Sequence, residues 1–154
     1  YGKLFNTISV CLSKGLGAPI GSVLLGDKEA IKKAYRLRKV MGGGMRQAGY
    51  LAAAGIFALD HHVNRLSEDH QKAKQLEMQL QQCSFVEEVL LAETNIVICK
   101  LNSRFTDDAF VQKLNEHQIK ASSFGPQMIR FVTHLDITDQ MLEHTLSVLQ
   151  KLNH

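Results

Sequence analysis

The glycine-rich stretch at residues 15–21 constrains the fold of this chain more than any other feature of its sequence. It follows an apolar, β-branched run at residues 6–12 and precedes a second such run at residues 22–25, and both runs predict strands. Glycine-rich loops that bind a pyrophosphate need a helix directly after them, because the helix N-terminus faces the anion. Here Pro19 and the second strand follow instead. The stretch therefore predicts a loop between two strands and argues against a dinucleotide-binding or phosphate-loop fold.

Two helices are predicted between the second strand and residue 80. The first covers residues 28–41, has Asp27 as its N-cap and meets three consecutive glycines at residues 42–44, where the chain must bend. Apolar residues then recur at steps of three and four, which predicts one continuous helix over residues 45–80. Its first half is apolar on nearly every side and its second half carries polar residues on one face. This change of character places a domain boundary near Asp60.

The pattern after residue 84 alternates between short strands and amphipathic helices. Thr106 and Thr138 are predicted N-caps of the two helices in this part. Together the segments predict a compact α+β layer in which helices cover a sheet. The strands are expected at residues 85–91, 95–101, 119–122 and 127–133, and the helices at residues 107–117 and 139–152.

Composition excludes several classes of partner. The net charge of +3 is too small to serve as an electrostatic footprint for nucleic acid. No apolar stretch approaches the roughly 20 residues that span a bilayer, so no membrane partner is expected either. The basic residues of the first predicted helix are most simply its solvated face.

The three cysteines are Cys11, Cys83 and Cys99, and none has a second cysteine or a histidine at metal-ligand spacing. We therefore expect no metal site. An odd number of scattered cysteines indicates free thiols in a reducing compartment, with Cys11 and Cys99 as small buried apolar side chains. This favours a cytoplasmic location, with a mitochondrial one as the alternative.

Lys14 lies at the end of the first predicted strand, where the glycine-rich loop lets another molecule approach the backbone. Position alone favours an ordinary solvent-exposed lysine. Residues 12–22 (Leu-Ser-Lys-Gly-Leu-Gly-Ala-Pro-Ile-Gly-Ser), however, are similar to the cofactor-lysine segment of the low-specificity threonine aldolases. Residues 38–47, 51–56 and 130–136 resemble further segments of the same family, in the same order. The resemblance covers essentially the whole chain.

The resemblance implies an α/β enzyme of fold type I that uses pyridoxal phosphate. Residues 1–60 would be an incomplete remnant of the large cofactor-binding domain, joined by the long helix to a small C-terminal α+β domain at residues 61–154. A chain that opens on Tyr1 would begin partway through the large domain. It would lack the family's phosphate-binding loop, its ring-stacking residue, the acidic partner of the pyridine nitrogen and the catalytic base. The isolated chain is therefore expected to be inactive.

The same resemblance implies roles for individual residues. Lys14 would carry the cofactor as a Schiff base and act as the catalytic lysine. Lys39 and Arg46 would contact the cofactor, with Arg46 reaching that of a neighbouring subunit in a homo-oligomer, a dimer or a tetramer. Ser13 is a cofactor contact by its position beside Lys14, provided that the strand ends there, because along an extended strand it would point the other way. Solvated basic helix ends remain the alternative for Lys39 and Arg46.

Arg130 would bind the substrate carboxylate, because a guanidinium fork matches carboxylate geometry. The alternative is a salt-bridged arginine of the sheet. Strand alternation places Arg130, Val132 and His134 on one face, opposite Phe131 and Thr133. His134 is then expected either to support the arginine or to pack structurally, and the other histidines are expected to be surface or partly packed residues.

The reaction implied is retro-aldol cleavage of L-threonine or L-allo-threonine, small β-hydroxy amino acids, to glycine and acetaldehyde. That chemistry belongs to threonine catabolism and glycine biosynthesis. A lysine loop does not decide which bond is broken. Two alternatives therefore stay open: another fold-type-I lyase or aminotransferase, and a truncated non-catalytic chain that retains the fold and the oligomer contacts.

Overall fold

Two antiparallel strands, β1 (Thr7–Cys11) and β2 (Ser22–Gly26), open the computed structural model, which describes residues 1–153. Cys11 pairs with Ser22, and the Leu12 amide donates to the Gly21 carbonyl at 2.9 Å, so the pairing continues one step into the loop. Strand, loop and strand follow one another as the glycine-rich stretch predicts. All five residues of β2 are exposed.

Helix α1 (Lys28–Val40) begins where the sequence predicts. The Asp27 carboxylate accepts a hydrogen bond from the Ala30 amide at 2.7 Å, which satisfies one of the free amides of the first turn. The helix ends before Gly42, whose φ of +82° suits a residue without a Cβ. No residue of α1 is buried.

The prediction of one helix over residues 45–80 is wrong. The structure has two helices, α2 (Gly49–His61) and α3 (Leu66–Leu80), separated by a turn at residues 62–65. Gln47 has a φ of +52°, so no helix can extend back to residue 45. His62 and Arg65 keep right-handed helical dihedrals. The apolar spacing therefore stays in phase across the turn, and periodicity cannot detect the break.

At this turn the chain divides into two compact units, Tyr1–Asn64 and the segment from Arg65 onward. The second unit contains α3, two further helices and an antiparallel sheet whose strands lie side by side in the order 86–89, 96–101, 128–132 and 122–123. Thr106 and Thr138 cap those helices through their hydroxyls, as predicted. The elements are β3 (Val86–Val89), β4 (Ile96–Leu101), α4 (Asp107–Glu116), β5 (Ser122–Ser123), β6 (Met128–Val132) and α5 (Asp139–Leu152).

Strand β5 is shorter than the predicted strand at residues 119–122. Gln118 has a φ of +62°, and the Ile119 amide donates to the Leu114 carbonyl at 2.9 Å. Residues 118 and 119 therefore complete the C-terminal cap of α4 instead of pairing with β6. The Ile119 side chain is buried.

The core of the second unit forms between one face of its sheet and its helices. Val97 of β4 pairs with Phe131 of β6, and both side chains are buried. Phe85 and Phe110 are fully buried with their ring centroids 5.1 Å apart. Alternate residues of β6 point away from this core, which leaves Arg130 on the opposite face. None of the helices in residues 1–153 is both long and apolar enough to cross a bilayer.

Candidate active site

The loop at residues 12–21 places Lys14 on the surface of the first unit. Leu12, Leu16 and Ala18 are buried, whereas Ser13 and Lys14 are exposed. The Gly17 amide donates to the Lys14 carbonyl at 2.8 Å, and the Ala18 amide donates to the Leu12 carbonyl at 3.0 Å. The loop is thus a hydrogen-bonded turn with an apolar underside, and the amine of Lys14 extends from its outer side.

Helix α2 supports this loop through two residues that sequence reasoning missed. A Cβ at Gly55 would lie 3.1 Å from Cδ1 of Leu12, so the absent side chain lets the loop pack closely on the helix. Nδ1 of the half-buried His62 lies 2.6 Å from the Leu16 carbonyl, within hydrogen-bond distance. A glycine in an apolar helix is a weak sequence signal for the contact between Gly55 and Leu12. The sequence carries no signal for the contact between His62 and Leu16.

Lys14 has no carboxylate within ion-pair distance among residues 1–153, so its amine has no competing acidic partner. The neighbouring Cys11 is only half-buried, which corrects the expectation of a buried thiol. Its Sγ lies 3.5 Å from Oγ of Ser13. Hydrogen bonding from Ser13 lowers the pKa of the Cys11 thiol, and the positive charge of Lys14 lowers it by a smaller amount. Ser13 therefore faces Cys11, two residues away on the same side of the chain.

The triple glycine folds back on the end of α1. A Cβ at Gly43 would lie 2.9 Å from the Arg38 side chain, and one at Gly44 would lie 2.6 Å from that of Lys39. The Gly43 amide donates to the Arg38 carbonyl at 2.7 Å. Lys39 and Arg46 are both exposed, and neither has an acidic partner in the described part of the chain. Two unpaired cations at a glycine bend suit an anion, which is the role predicted for them.

Arg130 lies in the second unit, in the middle of β6, between Ile98 of β4 and Ser122 of β5. It is half-buried, and its Cζ lies 5.3 Å from the ring centroid of Phe124. Its Nε is buried without a hydrogen-bond partner, and no carboxylate in residues 1–153 forms an ion pair with it. The alternative, that Arg130 is a salt-bridged arginine of the sheet, therefore has no support among residues 1–153. The free donors suit an external carboxylate.

His134 lies just beyond β6, and its partner is not Arg130. Nδ1 of the exposed His134 lies 3.5 Å from a carboxylate oxygen of Asp136. Between Arg130 and His134, Thr133 is buried, and its hydroxyl donates to the Asp69 carbonyl at 2.7 Å. The strand alternation is confirmed, because Phe131 and Thr133 are buried and Val132 and His134 are exposed.

Solved structures define the class of fold. A Listeria monocytogenes protein assigned as an L-allo-threonine aldolase superposes with a TM-score of 0.74 at 18% identity, over 97% of this chain and 45% of the other. The histidinol-phosphate aminotransferase of Clostridium acetobutylicum superposes with a TM-score of 0.70 at 15% identity, over 98% and 47% of the two chains. The fold is thus the α/β fold of fold-type-I pyridoxal-phosphate enzymes, as the resemblance implies.

Sequence comparison narrows the class to a family. The profile of the beta-eliminating lyases matches residues 1–103. The low-specificity L-threonine aldolase 1 of Arabidopsis thaliana is 40% identical over 152 residues, which cover 97% of this chain and 42% of that protein. The low-specificity L-threonine aldolase of Escherichia coli K12 is 39% identical over 137 residues, 89% and 40% of the two chains. The chain therefore belongs to the beta-eliminating lyase family, and it spans about two fifths of these relatives' length.

Proposed function

We propose that the full-length protein is an aldehyde-lyase that uses pyridoxal phosphate to cleave L-threonine and L-allo-threonine to glycine and acetaldehyde. The observation that carries this proposal is the exposed Lys14, which has no ionic partner in the described part of the chain and lies on a turn packed against α2. Its support from relatives is their description as low-specificity L-threonine aldolases. A folded full-length protein that does not cleave L-threonine or L-allo-threonine in the presence of pyridoxal phosphate would overturn the proposal.

The described residues fit pyridoxal phosphate in their chemistry. Lys14 offers an amine with no acidic partner among residues 1–153, and Lys39 and Arg46 offer exposed cations for a phosphate. Ser13 offers a hydroxyl beside Lys14, and this hydroxyl lies 3.5 Å from Sγ of Cys11. When bound, the cofactor supplies an electron sink for negative charge at the substrate α-carbon. Arg46 is proposed to act at the cofactor of a neighbouring subunit in a homo-oligomer.

Lys14 is proposed to attach the cofactor covalently through Nζ. The amine acts as a nucleophile only in its neutral form, so a carboxylate beside it would oppose the step by holding the proton. No such carboxylate is present in residues 1–153. The turn keeps the amine on its exposed side, because Leu12 and Leu16 are buried beneath it.

Arg130 is proposed to bind the substrate carboxylate and so to orient the substrate. The bond at the substrate α-carbon that breaks is the one held in the orientation that favours its cleavage. A carboxylate fixed by Arg130 limits which of these bonds can take that orientation. The half-buried guanidinium forms no ion pair with any carboxylate of residues 1–153, which supports this role. A small β-hydroxy amino acid carries the required carboxylate.

We also propose that residues 1–60 belong to the cofactor-binding domain and residues 61–154 to the small domain. The separation of the compact units between Asn64 and Arg65 supports a boundary close to this position. A cytoplasmic location is proposed from the three free cysteines, with the mitochondrial one as the alternative.

The attachment of cofactor to Lys14 can be tested by reduction and peptide mapping. The full-length protein is incubated with pyridoxal phosphate, reduced with borohydride and digested. We expect one phosphopyridoxyl group, on Lys14, and none on the matched exposed lysine Lys28. Lys14→Ala should lose both the label and the absorbance band of the cofactor attached to the lysine. A label elsewhere, or no label on a folded wild-type protein, would refute the assignment.

Product analysis then separates the candidate reactions. Glycine and acetaldehyde from L-threonine support the aldolase. A keto acid would support a related lyase or an aminotransferase, which the superposition on histidinol-phosphate aminotransferase keeps open. Folded protein that labels at Lys14 but forms neither product would support a non-catalytic chain.

A further inference from the structure

We infer that Phe124 is a positioning residue for Arg130: its ring holds the guanidinium in the orientation that binds the substrate carboxylate. The inference rests on the proposed role of Arg130 in binding that carboxylate. It begins from the guanidinium itself, whose Cζ lies 5.3 Å from the Phe124 ring centroid and which has no hydrogen-bonding or ionic partner in residues 1–153. The aromatic ring thus lies where it can orient this cation.

The hairpin between β5 and β6 explains how the two side chains meet. Ser122 pairs with Arg130, and the Phe124 amide donates to the Met128 carbonyl at 2.9 Å. Phe124 and Arg130 therefore lie diagonally across the hairpin on the same face. The Met128 amide donates to the Gly125 carbonyl at 3.0 Å, and the φ of +131° at Gly125 tightens the turn.

Two polar contacts fix this hairpin to the rest of the second unit. The Gln127 side-chain amide donates to the carbonyls of Asn102 and Phe105 at 3.0 and 2.8 Å. The Ser123 hydroxyl donates to the Asp107 carboxylate at 2.5 Å, and this hydrogen bond lowers the pKa of Asp107. The backbone at Phe124 is therefore restrained on both sides, by the contacts of Ser123 and of Gln127.

The exposure of Phe124 argues against a purely structural role. Half of its surface remains accessible, unlike the fully buried Phe85 and Phe110 of the core. A guanidinium stacked on a ring keeps its edge N–H donors directed away from the ring plane, where a carboxylate can accept two of them. Removing the ring would free the arginine to adopt other rotamers. Binding a carboxylate would then have to restrict the arginine to one rotamer, and this loss of conformational entropy would weaken the binding.

The test compares Phe124→Leu with Phe124→Tyr in the full-length protein with pyridoxal phosphate. Leucine keeps apolar bulk without an aromatic face, so we expect KM for L-threonine to rise about tenfold with kcat changed little. Tyrosine restores the face and should restore KM. Calorimetric binding of glycine should weaken by the same factor in Phe124→Leu, which gives a readout independent of turnover. L-threoninol, which lacks the carboxylate, should bind both variants equally.

The matched control is Phe105→Leu. Phe105 also lies against an arginine, with Cζ of Arg104 at 5.5 Å, but that arginine donates to Ser84 and Asn153. The substitution should lower the melting temperature and leave KM unchanged. An equal rise of KM in Phe105→Leu would mean that general loss of packing, and not the ring over Arg130, causes the effect.

Arg130→Lys separates this inference from the proposed function. If it leaves KM for L-threonine unchanged, the carboxylate role of Arg130 fails. If it raises KM while Phe124→Leu does not, only the positioning role of Phe124 fails. The double variant Phe124→Leu with Arg130→Met should bind glycine no more weakly than Arg130→Met alone, because methionine leaves no cation for the ring to hold. A further loss would overturn the inference.

Discussion

The two units bury their apolar residues in different ways. Of the 22 buried hydrophobic residues in the described part of the chain, only four lie in the first unit, and three of these, Leu12, Leu16 and Ala18, belong to the Lys14 loop. The second unit buries the other 18 between its sheet and its helices. Burial is therefore concentrated in one loop of the first unit, whereas the second unit has a complete core.

The difference also appears in the sheets. Strand β2 is exposed along its whole length, and a two-stranded ribbon of this kind is marginal in water. The four-stranded sheet of the second unit alternates buried and accessible residues along β4 and β6, as expected for a sheet covered on one face. Stability of the isolated chain should thus come almost entirely from residues beyond Asn64.

Expression of the units as separate fragments tests this contrast most strongly. We expect residues 65–154 to unfold cooperatively in urea and to give dispersed amide resonances, because their core is complete. Residues 1–64 should show no cooperative transition. Cooperative unfolding of the first fragment, with the second fragment disordered, would reverse the comparison.

Truncation of one aromatic residue in each unit gives the next largest difference. Phe110→Ala should destabilise the second unit by about 3–5 kcal/mol, because the ring is fully buried. Phe57→Ala, the matched change on α2, removes a ring that is 56% exposed and should cost less than about 1 kcal/mol in the same chain. Both values come from urea denaturation followed by circular dichroism, and equal losses would contradict the assignment of the core.

Acid should weaken the second unit through Glu77. Its buried carboxylate accepts hydrogen bonds from Lys74 Nζ at 2.8 Å and from the Ala92 amide at 3.2 Å, and the Lys74 contact lowers its pKa below the usual 4.5. A carboxyl group whose pKa is lower in the folded state stabilises the fold above its unfolded pKa. That contribution disappears as the pH falls through the folded pKa.

Glu77→Gln should therefore cost about 1–2 kcal/mol at neutral pH and flatten the loss of stability below pH 4.5. Glutamine keeps an acceptor for the Ala92 amide, so the difference reports the charge. The measurement is the urea midpoint of residues 65–154 across pH 3–7. Parallel profiles for the two proteins would show that another group causes the acid dependence.

The smallest effect is expected at Gly55. A Cβ there would approach Leu12 at 3.1 Å, while alanine favours a helix interior over glycine by about 1 kcal/mol. The two terms oppose each other, so Gly55→Ala should change stability by less than about 0.5 kcal/mol. It should still move the loop, seen as an altered rate of pyridoxal-phosphate attachment to Lys14 in the full-length protein. An unchanged rate would mean that Leu12 adjusts without displacing the loop.

Local signals predicted most of the fold because they depend on neighbours in sequence. The caps at Asp27, Thr106 and Thr138 and the strands around the glycine-rich loop follow from short-range hydrogen bonding and side-chain type. The turn at residues 62–65 left the apolar period unbroken, so the helix break was missed. The short β5 was missed because the cap of α4 competes for residues 118 and 119.

The candidate site was only partly accessible from sequence. Roles for Lys14, Lys39, Arg46 and Arg130 came from the resemblance to a family, and the role of Ser13 came from its position beside Lys14. All of them stay predictions, as does the domain boundary near Asp60. His62 and Phe124 were not identified, because their contacts join residues whose proximity is set by tertiary structure. Tertiary contacts of this kind leave no periodic or capping signal.

The buried, unpaired Nε of Arg130 has a consequence for the evolution of the protein. A desolvated donor without a partner in residues 1–153 costs roughly 1–3 kcal/mol of folding free energy. Selection for thermal resistance alone would favour an uncharged replacement such as methionine at residue 130. Under the carboxylate role proposed for Arg130, stability and ligand affinity therefore place opposite demands on this position.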